Sequence, residues 1–244
     1  MRRVVRVDSE APDVADISGS TQLVGLIGWP VAHSLSPRMQ NAAFAAAGLD
    51  WVYVPLPTPP ERLDEALHGL VALGFRGANV TAPHKLAAAR LCETEVELDS
   101  VNTLVVHDVR LLGSSTDTAV LSTLPAERPV IVGDGGSARA FRAALPHARS
   151  FSRRSDWPPD VAGADLIVHA TPVRDKVLFE AAAGQTVVDL PYPETATAAA
   201  ARAAGAHVVG GLEVLVAQGA ASFERWTGLA APVDAMRAAV GLPA

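Results

Sequence analysis

The run Pro129-Val130-Ile131-Val132, followed at once by Gly133-Asp134-Gly135-Gly136-Ser137-Ala138, constrains this chain more than any other stretch. Three β-branched residues bounded by glycine read as a short buried strand, and Arg139 to Leu145 continues as a helix. Strand, G-x-G-x-x-A and helix, in that order, allow a tight turn and point a helix N-terminus at a pyrophosphate. About 20 residues further on, where an acidic side chain would read the ribose of NAD, the sequence has Ser152-Arg153-Arg154-Ser155. Two arginines flanked by hydroxyls suit a 2′-phosphate, so the expected cofactor is NADP; the alternative is two surface arginines.

The rest of the chain alternates in the same style. Residues 23–27, 51–56 and the stretch at Asn79 read as strands, with helices over 38–47, 59–73 and 86–91 between and after them. Ser36 ahead of Pro37 is the N-cap-then-proline order of a helix start, and Gly48 ends that helix. Residues 100–106 form a strand with a hairpin-like return through Arg110 to Leu112. Further strands follow near 149–151, 165–172, 186–192 and 206–209, and a last long helix spans 212–226. Alternating β and α elements predict an α/β protein with a mostly parallel sheet. At 244 residues the chain can form one large domain or two small ones.

Composition excludes several function classes. A net charge of −6 argues against nucleic-acid and membrane-surface partners, and the apolar stretches are too short to span a bilayer. The single cysteine, Cys92, forms no internal disulfide and no cysteine-rich zinc cage, which suits a reducing cytoplasm. The seven histidines show no metal-ligand spacing. Residues 1 to about 20, polar and acidic after Val4-Val5-Arg6-Val7, read as a loosely held extension without the apolar core of an export signal.

Polar residues cluster where the strands end. In Asn79-Val80-Thr81-Ala82-Pro83-His84-Lys85, Asn79 and Thr81 offer hydrogen bonds, Pro83 stops the strand, and Lys85 opens an alanine-rich helix. A lysine in that apolar setting suits proton transfer; alone it reads as a solvated first-turn residue. Ser34 and Ser36 sit near a helix N-terminus that favours an anion, or serve only as caps. Asn102 reads as a ligand or as a satisfied interior amide. Asp117 reads as a functional carboxylate or as the N-cap of a helix beginning near Thr118.

Together these motifs resemble the shikimate dehydrogenase family, over nearly all of the chain from Val24 to about Pro232. The residues that carry the resemblance are Gly28-x-Pro30…Ser34-x-Ser36-Pro37, Asn79-Val80-Thr81-x-Pro83-x-Lys85, Ser100-Val101-Asn102-Thr103 and Thr116-Asp117. Val188-Asp189-Leu190-x-Tyr192 and Gly211-Leu212-Glu213-x-Leu215-Val216-x-Gln218 complete the order. The resemblance implies Lys85 and Asp117 as the catalytic pair. It implies Ser34, Ser36, Asn79, Thr81, Asn102, Tyr192 and Gln218 as the binding set for a shikimate-like hydroxylated ring carboxylate. For NADP it implies Gly133, Gly135, Gly136, Ser137 and Ala138, then Arg153, Arg154 and Ser155, with Thr171, Pro172, Leu190 and Gly211 beside the cofactor. It further implies a substrate domain of residues 1–119 plus 212–244 and a Rossmann-type doubly wound domain of residues 120–211, in a monomer or homodimer.

Several residues depart from the family pattern. Gln40 stands before Asn41 where histidine is usual, Ser115 replaces the asparagine ahead of Thr116-Asp117, and Val214 replaces a methionine. Asp134 puts a carboxylate in the pyrophosphate loop, and Arg174 replaces the glycine of a Thr-Pro-x-Gly turn, where it could pair with Asp134 or a cofactor phosphate. Asp156-Trp157-Pro158-Pro159-Asp160 leaves little room for the helix expected there. The leading expectation is an NADP-dependent shikimate dehydrogenase of aromatic amino-acid biosynthesis. The alternatives are a quinate or aminoshikimate-type dehydrogenase, or a non-redox binding paralogue with a degenerate cofactor site.

Overall fold

Strand β1 (Gln22–Gly28) explains the first sheet, because its apolar run is buried on both faces. Val24 and Leu26 enter one apolar cluster while Ile27 enters another, the period-two split of a strand covered above and below. The computed structural model describes residues 17–94 and 96–243; the Val4–Val7 run lies outside them. On either side of β1 lie β2 (Trp51–Pro57) and β3 (Gly77–Val80), both parallel to it. The sheet continues through the hairpin β5 (Thr103–His107) and β6 (Arg110–Ser114) to a two-residue edge, β4 (Glu93–Thr94). Three of its five pairings are parallel, and the two made by the hairpin strands with β3 and each other are antiparallel.

Helices cover both faces. On one side α1 (Ser36–Ala46) packs with the late helices α6 (Gly211–Thr227) and α7 (Val233–Ala239) through Met39, Phe44, Phe223, Trp226 and Met236. On the other, α2 (Leu63–Ala72) supplies Leu63, Leu67 and Leu70, one helical stripe, and α3 (Lys85–Leu91) adds Ala88. Asn41 donates to and accepts from the Tyr53 backbone at 3.0 and 2.8 Å, fixing α1 against β2. Gln40, fully buried, donates to the Gly219 carbonyl at 2.9 Å and so ties α1 to α6. Ser18, Ser20 and Thr21 all reach the Asp50 carboxylate, so the expected loose extension is anchored from Ser18 onward.

The second sheet is built on the glycine-rich unit. Strands β7 (Pro129–Val132), β8 (Arg149–Phe151), β9 (Leu166–His169), β10 (Thr186–Asp189) and β11 (His207–Val209) pair in parallel, in the order β11-β10-β9-β7-β8. Counted from β7 this is the 2-1-3-4-5 order of a doubly wound sheet. One face packs on α4 (Gly136–Ala144), where Phe141 is fully buried; burial of a side chain that size contributes about 1.5–3 kcal/mol. The other face packs on α5 (Ala196–Ala203) and on Val161, Ala164, Phe179 and Ala181 from connecting loops. Among the described residues no helix joins β8 to β9 or β9 to β10. The prolines at 158 and 159 account for the first of these gaps.

Candidate active site

Asn79 and Val80 at the carboxyl end of β3, and Ser137 and Phe141 of α4, line one cavity of about 170 Å³. β3 ends at Val80, three residues before the proline expected to stop it, and after a turn through Pro83 Lys85 is the first residue of α3. Its Nζ donates to both Asp117 oxygens, at 2.7 and 2.6 Å, and to Ser137 Oγ at 3.0 Å. The two charged side chains are only 13% and 7% exposed, so water screens the pair little. Asp117 does not cap a helix as one reading expected: a short 3-10 turn (Ala119–Thr123) follows it without a side-chain cap.

Asn102 holds Asp117 from behind. It lies just before β5 rather than inside a strand, is 1% exposed, and donates to Asp117 Oδ1 and Gln218 Oε1 at 2.9 Å each. Its own carbonyl oxygen accepts from the Thr116 backbone N–H at 2.7 Å. Asn79 is equally committed: its amide donates to the Asn102 backbone carbonyl, Thr103 Oγ1 and Ser222 Oγ, and its Oδ1 accepts from Tyr53 Oη at 2.9 Å. Burial, with Tyr192 near, holds the Tyr53 phenol well above its usual range, so it stays a donor. Ser222 and Tyr53 carry no motif that singles them out in the sequence, and Thr103 and Thr116 stand there only as motif neighbours of Asn102 and Asp117. Only the i, i+4 spacing of Gln218 and Ser222 on α6 hints at one of them.

The remaining substrate candidates close the cavity. Ser34, Ser36, Asn79, Thr81, Tyr192 and Gln218 all line it. Ser36 is not the N-cap expected: Leu35 occupies that position in a helical conformation, and Ser36 begins α1. Ser34 Oγ accepts the Ser36 N–H at 3.2 Å instead, in a local hydroxyl–backbone turn. The Leu35 N–H points at Tyr192 Oη, 3.5 Å away, bringing the two halves together at this corner.

On the nucleotide side, Gly133 adopts φ 139°, and a Cβ there would strike the Ala170 carbonyl at the end of β9. That close crossing of β7 and β9 lies where the strand order reverses, the usual ligand crevice of such sheets. Gly135 caps α4 without a side-chain bond, and a Cβ added to it would meet nothing within 4 Å. Gly136 and Ser137 are partly exposed at this N-terminus, where helix amides lack intrahelical acceptors and suit phosphate oxygens, while Ala138 is fully buried. Asp134 accepts from Arg142 at 3.2 Å and Arg154 at 3.4 Å, so its charge is compensated by two guanidiniums. Arg153 lies over the Trp157 ring, 5.6 Å from its centroid, and Ser155 Oγ is 3.0 Å from Ser152 Oγ. Among the described residues Arg174 pairs with neither Asp134 nor another acid; it donates to the Tyr192 carbonyl at 3.1 Å, because its turn runs beside the β10–α5 loop.

Thr171 and Pro172 follow β9, and Leu190 and Gly211 line the cavity floor with Val214. Thr171 Oγ1 lies 2.8 Å from Nε2 of His169, whose Nδ1 meets Asp189 Oδ1 at 2.5 Å; His169 and Asp189 are both fully buried. Asp189 also accepts from the Thr195 hydroxyl and backbone. In the sequence, the only signal for His169 is a polar residue ending an apolar strand. Among the described residues no group of three or more metal-ligating side chains occurs, and no helix is long and apolar enough to cross a membrane.

Residues 26–104 match the shikimate dehydrogenase substrate-binding domain, and residues 211–240 match the shikimate 5'-dehydrogenase C-terminal domain. A shikimate dehydrogenase (NADP(+)) of Anaeromyxobacter dehalogenans is 42% identical over 267 residues, covering 88% of this chain and 94% of that protein. The chain belongs to the shikimate dehydrogenase family. Two solved members of the family share its architecture. A shikimate dehydrogenase in complex with NADP+ superposes with a TM-score of 0.84 at 29% identity, over 94% of this chain and 98% of its own. The Thermus thermophilus enzyme, in complex with NADP(H) and shikimate, gives 0.79 at 30% identity, over 89% and 98%.

Proposed function

We infer that this protein is an NADP-dependent shikimate dehydrogenase, an oxidoreductase that interconverts shikimate and 3-dehydroshikimate. The observation that carries the reading is the buried Lys85–Asp117 pair, set in a polar cavity directly beneath the N-terminus of the glycine-loop helix. Bound NADP supplies the hydride donor or acceptor. In the reducing direction Lys85 Nζ gives a proton to the ketone oxygen as hydride reaches its carbon; in the oxidising direction the proton returns. Asp117 orients the ammonium and accepts a hydrogen bond from a neighbouring ring hydroxyl. Ser34 and Ser36 donate to the ring carboxylate, while Thr81 and Gln218 bind hydroxyls and Asn102 holds Asp117 and Gln218 in register. Tyr192 closes the same end of the cavity.

The nucleotide-side geometry supports NADP. The tight Gly133 turn and open Gly135 support a pyrophosphate there, and Arg153, Arg154 and Ser155, on the loop after β8, are the residues we assign to the 2′-phosphate. Thr171, Pro172, Leu190 and Gly211 would border the nicotinamide end. The proposal includes the domain division 1–119 plus 212–244 and 120–211, which puts substrate in the cleft between the two sheets, and it places the enzyme in the cytoplasm. Calorimetry with NADPH and NADH, followed by turnover of shikimate and quinate, tests the reading. Tight NADPH binding, weak NADH binding and turnover preferring shikimate are expected. Shikimate binding with no nucleotide binding would overturn it.

A further inference from the structure

A lysine ammonium carries three N–H donors and no acceptor. All three donors of Lys85 have protein acceptors: Asp117 Oδ1 at 2.7 Å, Asp117 Oδ2 at 2.6 Å and Ser137 Oγ at 3.0 Å. A substrate oxygen that exchanges a proton with Nζ therefore has to replace one of them. The two Asp117 bonds are short and charge-assisted on both sides, and Asn102 fixes their carboxylate at 2.9 Å. The Ser137 bond is the longest and ends on a neutral hydroxyl, so it is the one that yields.

Ser137 belongs to the opposite half of the molecule. It is the second residue of α4, immediately after the glycine loop leaving β7. The approach is close: a Cβ on Gly136 would lie 2.8 Å from Lys85 Cβ and 3.1 Å from Ser100 Oγ. Glycine at 136 thus lets the helix N-terminus seat directly on the lysine. At that N-terminus a serine hydroxyl can also turn to donate to a phosphate oxygen.

We propose that Ser137 is a positioning residue for the reaction, a latch that holds Lys85 Nζ and releases it to the substrate when its hydroxyl turns to the dinucleotide phosphate. The inference rests on the dehydrogenase reading above. No covalent step is added; one hydrogen bond of Nζ is exchanged for another. Because the latch joins the two ligand sites, NADP+ strengthens shikimate binding and shikimate strengthens NADP+ binding by the same factor.

Calorimetric titration of shikimate into wild type, Ser137→Ala and Ser137→Thr, each with and without NADP+, tests the latch; thermal melts verify folding. Without cofactor, shikimate is expected to bind Ser137→Ala roughly three- to tenfold tighter than wild type, the scale of one net hydrogen bond no longer displaced. NADP+ should then add little, and Ser137→Thr, which keeps the hydroxyl, should restore the wild-type pattern. Unchanged or weaker shikimate binding by Ser137→Ala would overturn the proposal, the weaker case making Ser137 a substrate contact. Tighter binding by Ser137→Ala in a chain whose wild type turns over no shikimate would keep the latch and remove the dehydrogenase reading instead.

Discussion

The two sides of the cleft solve recognition differently. On the substrate side, Asn79, Asn102, Thr103, Thr116 and Ser222 form one buried hydrogen-bonded net, with Lys85 and Asp117 at its open end. On the cofactor side, the residues proposed to read the 2′-phosphate stand on a loop after β8, with the Arg154 side chain 87% exposed and its nearest acid 3.4 Å away. A buried net fixes geometry, and each unpaired member is costly; an exposed cation gains affinity through a field that water and salt weaken. The residues we assign to substrate are thus part of the fold, whereas those we assign to the 2′-phosphate are attached to it.

The largest effect should come from breaking the buried side at its chemical end. Lys85→Ala is expected to lower turnover about 10²–10⁴-fold, the usual scale for a general acid–base, with NADP+ binding retained by calorimetry and tightened up to about tenfold because Ser137 is freed. Retained turnover with lost nucleotide binding would move Lys85 to the cofactor. Next comes Asn102→Ala, which strands the Thr116 N–H and releases Asp117. One stranded buried donor costs about 1–3 kcal/mol, so the melting temperature should fall by roughly 2–12 °C along with turnover. An unchanged melting temperature would mean the net is not structural.

The exposed side should respond in the opposite sense. Arg153→Ala combined with Arg154→Ala is expected to raise the KM for NADP+ about ten- to a hundredfold while leaving the melting temperature and the shikimate KM close to wild type. A comparable loss with NAD+ would show that the arginines serve the pyrophosphate rather than the 2′-phosphate. The smallest effect is predicted for Asp134→Asn. Releasing Arg154 from a pair worth about 0–1 kcal/mol should tighten NADP+ by about two- to fivefold, and weaker binding would show that Asp134 positions the arginine.

The same contrast explains what could be read from the sequence. Strand, glycine turn and helix at 129–145 are legible because each residue there answers to local rules of turn and helix geometry. Lys85, Asp117 and the cavity-lining serines are legible as members of motifs. Their partners are less so: Thr103 meets Asn79 through the pairing of β3 with β5, and Ser222 meets it only after α6 returns from the second sheet to the first, a contact 143 residues long. His169 and Asp189 sit 20 residues apart on neighbouring parallel strands, a pairing that only the register of β9 on β10 reveals. The start of α1 differs from expectation because Leu35 adopts a helical backbone before Pro37, which side-chain preference alone does not report.

The asymmetry itself is tested most directly by steady-state kinetics of the wild-type enzyme across ionic strength, for example from about 0.05 to 0.5 M salt, where the screening length shortens roughly threefold. The KM for NADP+ is predicted to rise severalfold while the KM for shikimate stays nearly constant. Equal salt sensitivity of the two, or a rise confined to shikimate, would contradict the division between a buried substrate net and an exposed phosphate clamp.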